Sequence, residues 1–186
     1  MASTAKWHMK TRAQVEDVAA LVKDAKDDPG AFGRLYDIYV QPVYRYLYSR
    51  VGTTHDAEDL TSQTFLAALE HLPRYRERGQ FAAWLFRIAR SKVMDHFRGS
   101  RHEVELEAAE RSASGGDALV HVIQGEEIHR LQALIRNLNA EEQDLIRLRY
   151  VAELTFAEMA DLLDKREEAV KQSVYRLLAR LKSQME

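Results

Sequence analysis

The sequence predicts an all-α chain of two small helical domains joined by a flexible acidic linker. Three observations carry this. Apolar residues recur at helical spacing on both sides of the middle of the chain, and no stretch alternates as a strand would. Between the halves lies a run with Glu103, Glu105, Glu107, Glu110, Asp117, Glu126 and Glu127 opposed only by Arg111. That run also holds Ser112-Ala113-Ser114-Gly115-Gly116, a composition that favours turns and flexible backbone. The expected boundaries are a small, polar tail at 1–10 that fits disorder, a first helical domain at 11–101, the linker at 102–127 and a second domain at 128–186.

In order, Val15, Val18, Val22 and Ala25 mark a first amphipathic helix, which Asp27-Asp28-Pro29-Gly30 stops. A second helix runs from about Ala31 to Val51 on Phe32, Leu35, Tyr36, Ile38, Tyr39, Val43, Tyr44, Tyr46 and Leu47, with Gly52 as its C-cap. A third begins at Asp56 as cap, with Glu58 and Asp59 in the first turn where the helix dipole favours acids. Its seam is Leu60, Phe65, Ala68, Leu69 and Leu72, and Pro73 ends it. The next helix repeats Leu85, Ile88, Ala89, Lys92 and Val93 at helical spacing, with Arg87, Arg90, Arg98 and the Trp84 ring elsewhere on its surface.

The C-terminal residues have the form of a helix-turn-helix. Thr155 and Glu158 make a capping box, and Met159, Leu162 and Leu163 form the stripe of a short helix. Asp164 suits a left-handed turn position, and Val170, Val174, Leu177 and Leu181 form the seam of a longer helix. A short helix, a tight turn and a longer helix with a polar outer face suit entry into the DNA major groove.

A second block fits either an amphipathic helix with a solvated basic face and Trp84 in the core, or a surface for opened nucleic acid. Arg74, Arg76, Arg78, Arg87, Arg90, Lys92, Arg98 and Arg101 are opposed there only by Glu77 and Asp95, and Tyr75, Phe81, Trp84, Phe86 and Phe97 are interleaved with them. Phosphates need charge and unstacked bases need a flat surface, so this pattern suits single strands. Trp84 suits a core position and a stacking face equally.

Composition bounds the rest. At 186 residues with 46% hydrophobic residues, the chain can build one medium core or two small ones. It has no cysteine, so disulfides, thiolate metal sites and cysteine nucleophiles are excluded and a reducing compartment fits. The seven histidines lack metal-ligand spacing, and neither a phosphate cradle nor a nucleophile motif is present. No catalytic residue, metal or cofactor is therefore expected. No apolar run is long enough for membrane insertion and no signal peptide opens the chain, so the expected location is cytoplasmic. The net charge of −2 conceals basic faces offset by the acidic middle.

The string Asp56-Ala57-Glu58-Asp59-Leu60, Phe65-Leu66, Phe81 to Arg90 and Asp95-His96-Phe97-Arg98 resembles region 2 of bacterial extracytoplasmic-function (ECF, group 4) sigma factors of the sigma-70 family. Leu148-Arg149-Tyr150, Phe156 to Ala160, Val170-Lys171, Arg176 and Leu181 are similar to their region 4, in the same order and spacing. The resemblance covers nearly the whole chain. It implies an alternative sigma factor, itself not an enzyme, that directs core RNA polymerase to specific promoters. The implied partners are the clamp coiled coil and flap of core polymerase, promoter DNA as duplex and as single strand, and an anti-sigma factor.

Carried over by position, the resemblance implies that Asp59, Ser62, Gln63 and Glu70 dock on the polymerase clamp. Arg74, Tyr75, Arg76, Arg78, Trp84, Arg87, Arg90, Ser91 and Arg98 would hold the opened downstream element. Arg166, Glu168, Lys171, Gln172, Tyr175 and Arg176 would face the upstream element. The chain departs from the family pattern at three places. Ser62-Gln63 stand where Gln and an acid are usual, Ser91 stands where Asn is frequent, and Glu167-Glu168 open the last helix. Glu167 suits helix capping, while Glu168 fits either capping or a hydrogen bond from cytosine N4. The alternative from another class is a helix-turn-helix regulator whose N-terminal half is a ligand or dimerisation module, for which the Arg74–Arg101 stretch has no use.

Overall fold

The computed structural model describes residues 12–104 and 126–185, which are mainly helical with no strand among them. The expected tail at 1–10 and most of the expected linker lie outside the described residues. The fourth helix continues to Val104 and the fifth begins at Glu126, so both ends of the expected linker are helical.

Four helices form the N-terminal unit: α1 (Arg12–Asp24), α2 (Pro29–Val51), α3 (Thr54–His71) and α4 (Phe81–Val104). The Asp28-Pro29-Gly30 stop is also a start. Asp28 caps α2 by accepting from the Gly30 N–H at 2.8 Å, and Pro29 takes the first-turn position where its missing N–H costs nothing. Gly52 closes α2 in the left-handed region at φ 82°. The expected cap of α3 is corrected: Thr53, not Asp56, is the N-cap. Its hydroxyl accepts from the Asp56 N–H at 3.1 Å, and Asp56 becomes the first-turn acid. Both residue types cap well, so composition alone did not separate them. Pro73 does not end the chain's coiling at once, since Leu72–Arg74 make one 3-10 turn.

The C-terminal unit holds α5 (Glu126–Arg136), α6 (Ala140–Ile146), α7 (Phe156–Leu163) and α8 (Glu167–Met185). A capping box of Asn139 and Glu142 starts α6, and a turn of π-helix, Arg147–Val151, follows it. The expected capping box of Thr155 and Glu158 starts α7, and Asp164 stands in the left-handed region at φ 53°. Val170, Val174, Leu177 and Leu181 are all buried, as the helical spacing of the seam requires.

The two units share one apolar core. Tyr46, Leu47, Leu85, Phe86 and Ala89 from the first unit and Leu145, Leu148, Met159 and Leu162 from the second belong to a single cluster of buried residues. Phe86 has no exposed surface and meets the Tyr46 ring edge-on with centroids 5.4 Å apart. A smaller cluster of Leu138, Ile146, Leu177 and Leu181 joins α8 to the rest of the second unit. One expected seam position of α3 differs. Leu69 is exposed, and Thr61 and Thr64 are buried in its place, each donating to the carbonyl four residues back at 2.6 and 2.7 Å. A threonine whose hydroxyl is satisfied by its own helix can occupy an inward position without an orphaned donor.

Candidate nucleic-acid and polymerase interfaces

Three surfaces carry the residues singled out in the sequence. The first is the outer face of α3. At about 100° per residue, Asp59, Ser62, Gln63, Leu66 and Glu70 lie on one side. Asp59, Ser62 and Glu70 are exposed and Gln63 is half-buried. Gln63 Nε2 donates to Asp59 Oδ2 at 2.7 Å, which fixes the carboxylate along the helix surface. Leu66, at 61% exposure, stands at the centre of this polar set, with Leu69 exposed beside it. Sequence reasoning missed Leu66 and Leu69 as surface residues. An apolar centre ringed by polar groups is the usual anatomy of a protein docking face. The signal was present in the spacing, since Leu66 and Asp59 are two helical turns apart.

The second surface is the 75–80 loop and the adjoining side of α4. Tyr75 packs its ring on Trp84 with centroids 4.6 Å apart, and Phe81 lies 5.8 Å from Tyr75 and 5.4 Å from Trp84. Lys26 donates to the Tyr75 carbonyl at 2.6 Å and ties the loop to the end of α1. Gly79 takes φ 74° and its N–H is capped by the Glu77 carboxylate. Burial raises the Tyr75 phenol well above its ordinary value, and the Glu77 carboxylate adds to the shift. The Tyr75 hydroxyl, one Glu77 oxygen and the Gln80 amide oxygen are all closed off from solvent. Trp84 is half-buried: it packs against the core and keeps part of its surface exposed.

Trp84, Arg87, Ser91 and Arg98 share one side of α4, with Arg90 at its edge. Arg74, at the end of the 3-10 turn, and Arg76 and Arg78 on the adjoining loop are exposed. Not all the arginines are unpaired. Arg98 pairs with Asp95 at 2.9 Å. Arg87 Nη2 donates to the Asp161 carbonyl at 2.7 Å and reaches its carboxylate at 3.3 Å. Arg90 Nη2 lies 2.9 Å from Asp144 Oδ2. Asp144 and Asp161 belong to the second unit, and nothing in the local sequence around α4 pointed to them. Asp144 did carry one sign, since it shares a helix face with the buried Leu148, an unusual place for an acid.

The third surface is the outer face of α8. Glu168, Gln172, Tyr175 and Arg176 are exposed there and Lys171 is half-buried, with Arg166 exposed in the turn before the helix. Lys171 lies 3.9 Å from Glu168, and Arg176 donates to Gln172 Oε1 at 3.4 Å, a long bond that DNA could replace. Tyr175 is propped from below: its ring meets Phe156 edge-on at 5.8 Å, and the Arg149 guanidinium lies 4.8 Å over Phe156. Phe156 and Arg149 are further residues of this face that sequence reasoning did not assign. Among the described residues no group of acids and histidines could hold a metal ion.

Two helical units, the second presenting an open polar helix from a helix-turn-helix, define a DNA-binding transcription factor. Comparison with known proteins narrows the class. The chain matches the Sigma-70 region 2 family over residues 35–103 and the Sigma-70, region 4 family over residues 128–181. It is 42% identical to the ECF RNA polymerase sigma factor BldN of Streptomyces coelicolor over 81% of this chain, and spans 59% of that relative's length. It is 30% identical to the ECF sigma factor SigD of Mycobacterium tuberculosis, covering 92% of this chain and 85% of the relative. In fold it is similar to the sigma factor RpoE solved in complex with the anti-sigma factor NepR from Bartonella quintana. That likeness has a TM-score of 0.63 at 18% identity and covers 83% of this chain and 96% of the other. The chain belongs to the ECF sigma factors of the sigma-70 family, the alternative sigma factors of promoter-specific transcription initiation.

Proposed function

We propose that this chain docks on the clamp coiled coil of core RNA polymerase through the outer face of α3, with Asp59, Ser62, Gln63 and Glu70 surrounding Leu66. The 75–80 loop and α4 then hold the opened downstream element: Trp84 and Tyr75 offer rings to unstacked bases, and Arg74, Arg76, Arg78, Arg87, Arg90 and Arg98 meet phosphates. Ser91 takes the place of a base-reading amide. Polar residues of α8 read the upstream element as duplex, with Glu168, Gln172 and Tyr175 toward bases and Arg166, Lys171 and Arg176 toward the backbone. The residues 102–127 join the two units, and the flap of polymerase is the natural contact for the second. Polymerase supplies the chemistry, so the chain itself is not an enzyme, and it acts in the bacterial cytoplasm.

The observation that carries this reading is the presence, in one chain, of an open duplex-reading face on α8 and an aromatic–arginine face on α4. A repressor needs only the first. Strand opening needs the second, because extruded bases require stacking surfaces worth about 1–3 kcal/mol each. An anti-sigma factor is a further partner, in keeping with the complex in which the similar Bartonella quintana protein was solved. Native-gel competition for core polymerase against a housekeeping sigma factor tests the docking. Displacement of the competitor is expected; its persistence at saturating concentrations of this chain would contradict the reading.

A further inference from the structure

The two units are joined by charges as well as by the shared apolar core. Arg45, Arg50, Arg87 and Arg90 of the first unit all pair with carboxylates of the second. Arg45 lies 2.8 Å from Glu153, Arg87 3.3 Å from Asp161, and Arg50 and Arg90 lie 3.0 and 2.9 Å from the two oxygens of Asp144. Asp144 is the centre of this arrangement. Its side chain is 8% exposed, it accepts from the Tyr46 hydroxyl at 3.4 Å, and its helical neighbour Arg147 donates to the Ser49 carbonyl at 3.2 Å. The pairs at Glu153 and Asp161 are half-exposed and screened by water, so they add little to closure. The desolvated pair at Asp144 is different, because removing one partner there strands a buried charge.

A buried acid among arginines is a poor way to make two surfaces adhere permanently, since apolar side chains of the same size serve as well or better. It suits a contact that must also open, because each charged group regains water when the surfaces part. The groups that Asp144 and Asp161 occupy include Arg90 and Arg87, which belong to the aromatic–arginine face. The outer face of α8 remains exposed.

We infer that Asp144 is the latch of a closed state in which the second unit occupies the strand-binding arginines of the first, leaving duplex reading available but strand capture blocked. Asp144 and Asp161 stand where phosphates would stand, so a single strand and the second unit compete for Arg90 and Arg87. By linkage, strand binding favours the open state as strongly as opening favours strand binding. This inference rests on the proposed role of α4 in holding the opened strand.

The chain has no cysteine, so spin labels attach only where cysteines are introduced. Gln41→Cys on α2 and Ser183→Cys on α8 place them at exposed positions away from the contact. Electron–electron distance measurement on the full chain should give one narrow distribution. Asp144→Asn should broaden it toward longer distances and bind a short single-stranded oligonucleotide about tenfold more tightly, within the ordinary range of a coupling between two mutually exclusive contacts. Excess oligonucleotide added to the labelled protein with Asp144 intact should cause the same lengthening, which keeps the test alive should Asp144→Asn fold poorly. A distribution already broad in the presence of Asp144, or one unchanged by both Asp144→Asn and oligonucleotide, overturns the latch. So does a variant that opens but binds the strand no better. If neither form binds the strand at all, the proposed role of α4 fails, a result distinct from equal binding by both.

Discussion

Asp144 of α6 and Arg90 of α4 meet at 2.9 Å across the boundary between the two helical units, with Arg50 on the other carboxylate oxygen at 3.0 Å. One acid thus holds two guanidinium groups from two helices of the other unit. The surface expected to capture an opened strand is also the surface on which the chain folds back.

Docking on polymerase should depend on both the charge and the apolar centre of α3. Asp59→Lys and Leu66→Ser should each weaken competition for core polymerase by about tenfold, the size of a single strong interface residue. Both positions are exposed, so thermal stability should hardly change. Native-gel competition with an unchanged midpoint would move the docking face elsewhere.

Strand opening should depend on the Trp84 ring. Trp84→Ala removes a surface that stacks on Tyr75 and Phe81 and leaves α8 untouched. Permanganate footprinting on a promoter complex should show lost melting, equivalent to about 1–3 kcal/mol, while duplex binding persists. Normal melting by the folded variant would contradict the assignment.

On α8, Gln172 lies central in the exposed stripe and Arg176 at its edge. Gln172→Ala should cost about 1–3 kcal/mol on the preferred upstream element and much less on scrambled DNA. Arg176→Ala should weaken both alike and lower the salt dependence by about one phosphate contact. Since Arg176 also donates to Gln172 at 3.4 Å, the double variant should fall short of the sum on the preferred element. Equal losses from Gln172→Ala on both DNAs would mean the helix sits differently in the groove.

Alkaline stability should report the Tyr46 site. Burial raises the Tyr46 phenol above its ordinary value, and the Asp144 carboxylate beside it adds to the shift. A raised folded value means that the neutral phenol's contribution is complete below the unfolded value of about 10 and is lost as pH climbs toward the folded one. Urea unfolding should therefore weaken steeply above about pH 10, and Tyr46→Phe should reduce that slope by up to about 1.4 kcal/mol per pH unit. An identical slope in Tyr46→Phe would show that this hydroxyl is not closed off from water.

The helix-turn-helix was legible because its signals are local. The capping box, the left-handed Asp164 and the α8 seam each lie within a few residues of one another, and all three stand in the structure as read. The outer face of α3 was half legible: its polar members came from the resemblance to region 2, position by position, while helical spacing puts Leu69 inward until Thr61 and Thr64 are seen to satisfy their own hydroxyls. The closure of the two units was not legible. Arg50 and Asp144 are 94 residues apart, and a pairing at that separation leaves no periodic trace. The acid on the buried side of α6 was its one mark in the sequence.

Run-off transcription asks whether this chain starts transcription with core polymerase. Core polymerase, this chain and a template carrying the region upstream of its own gene should together yield a discrete transcript that neither protein gives alone. Trp84→Ala should abolish the transcript while upstream-element binding remains. No transcript from genomic templates, with intact duplex binding by α8 and no association with core polymerase, would contradict the account and leave a helix-turn-helix regulator in its place.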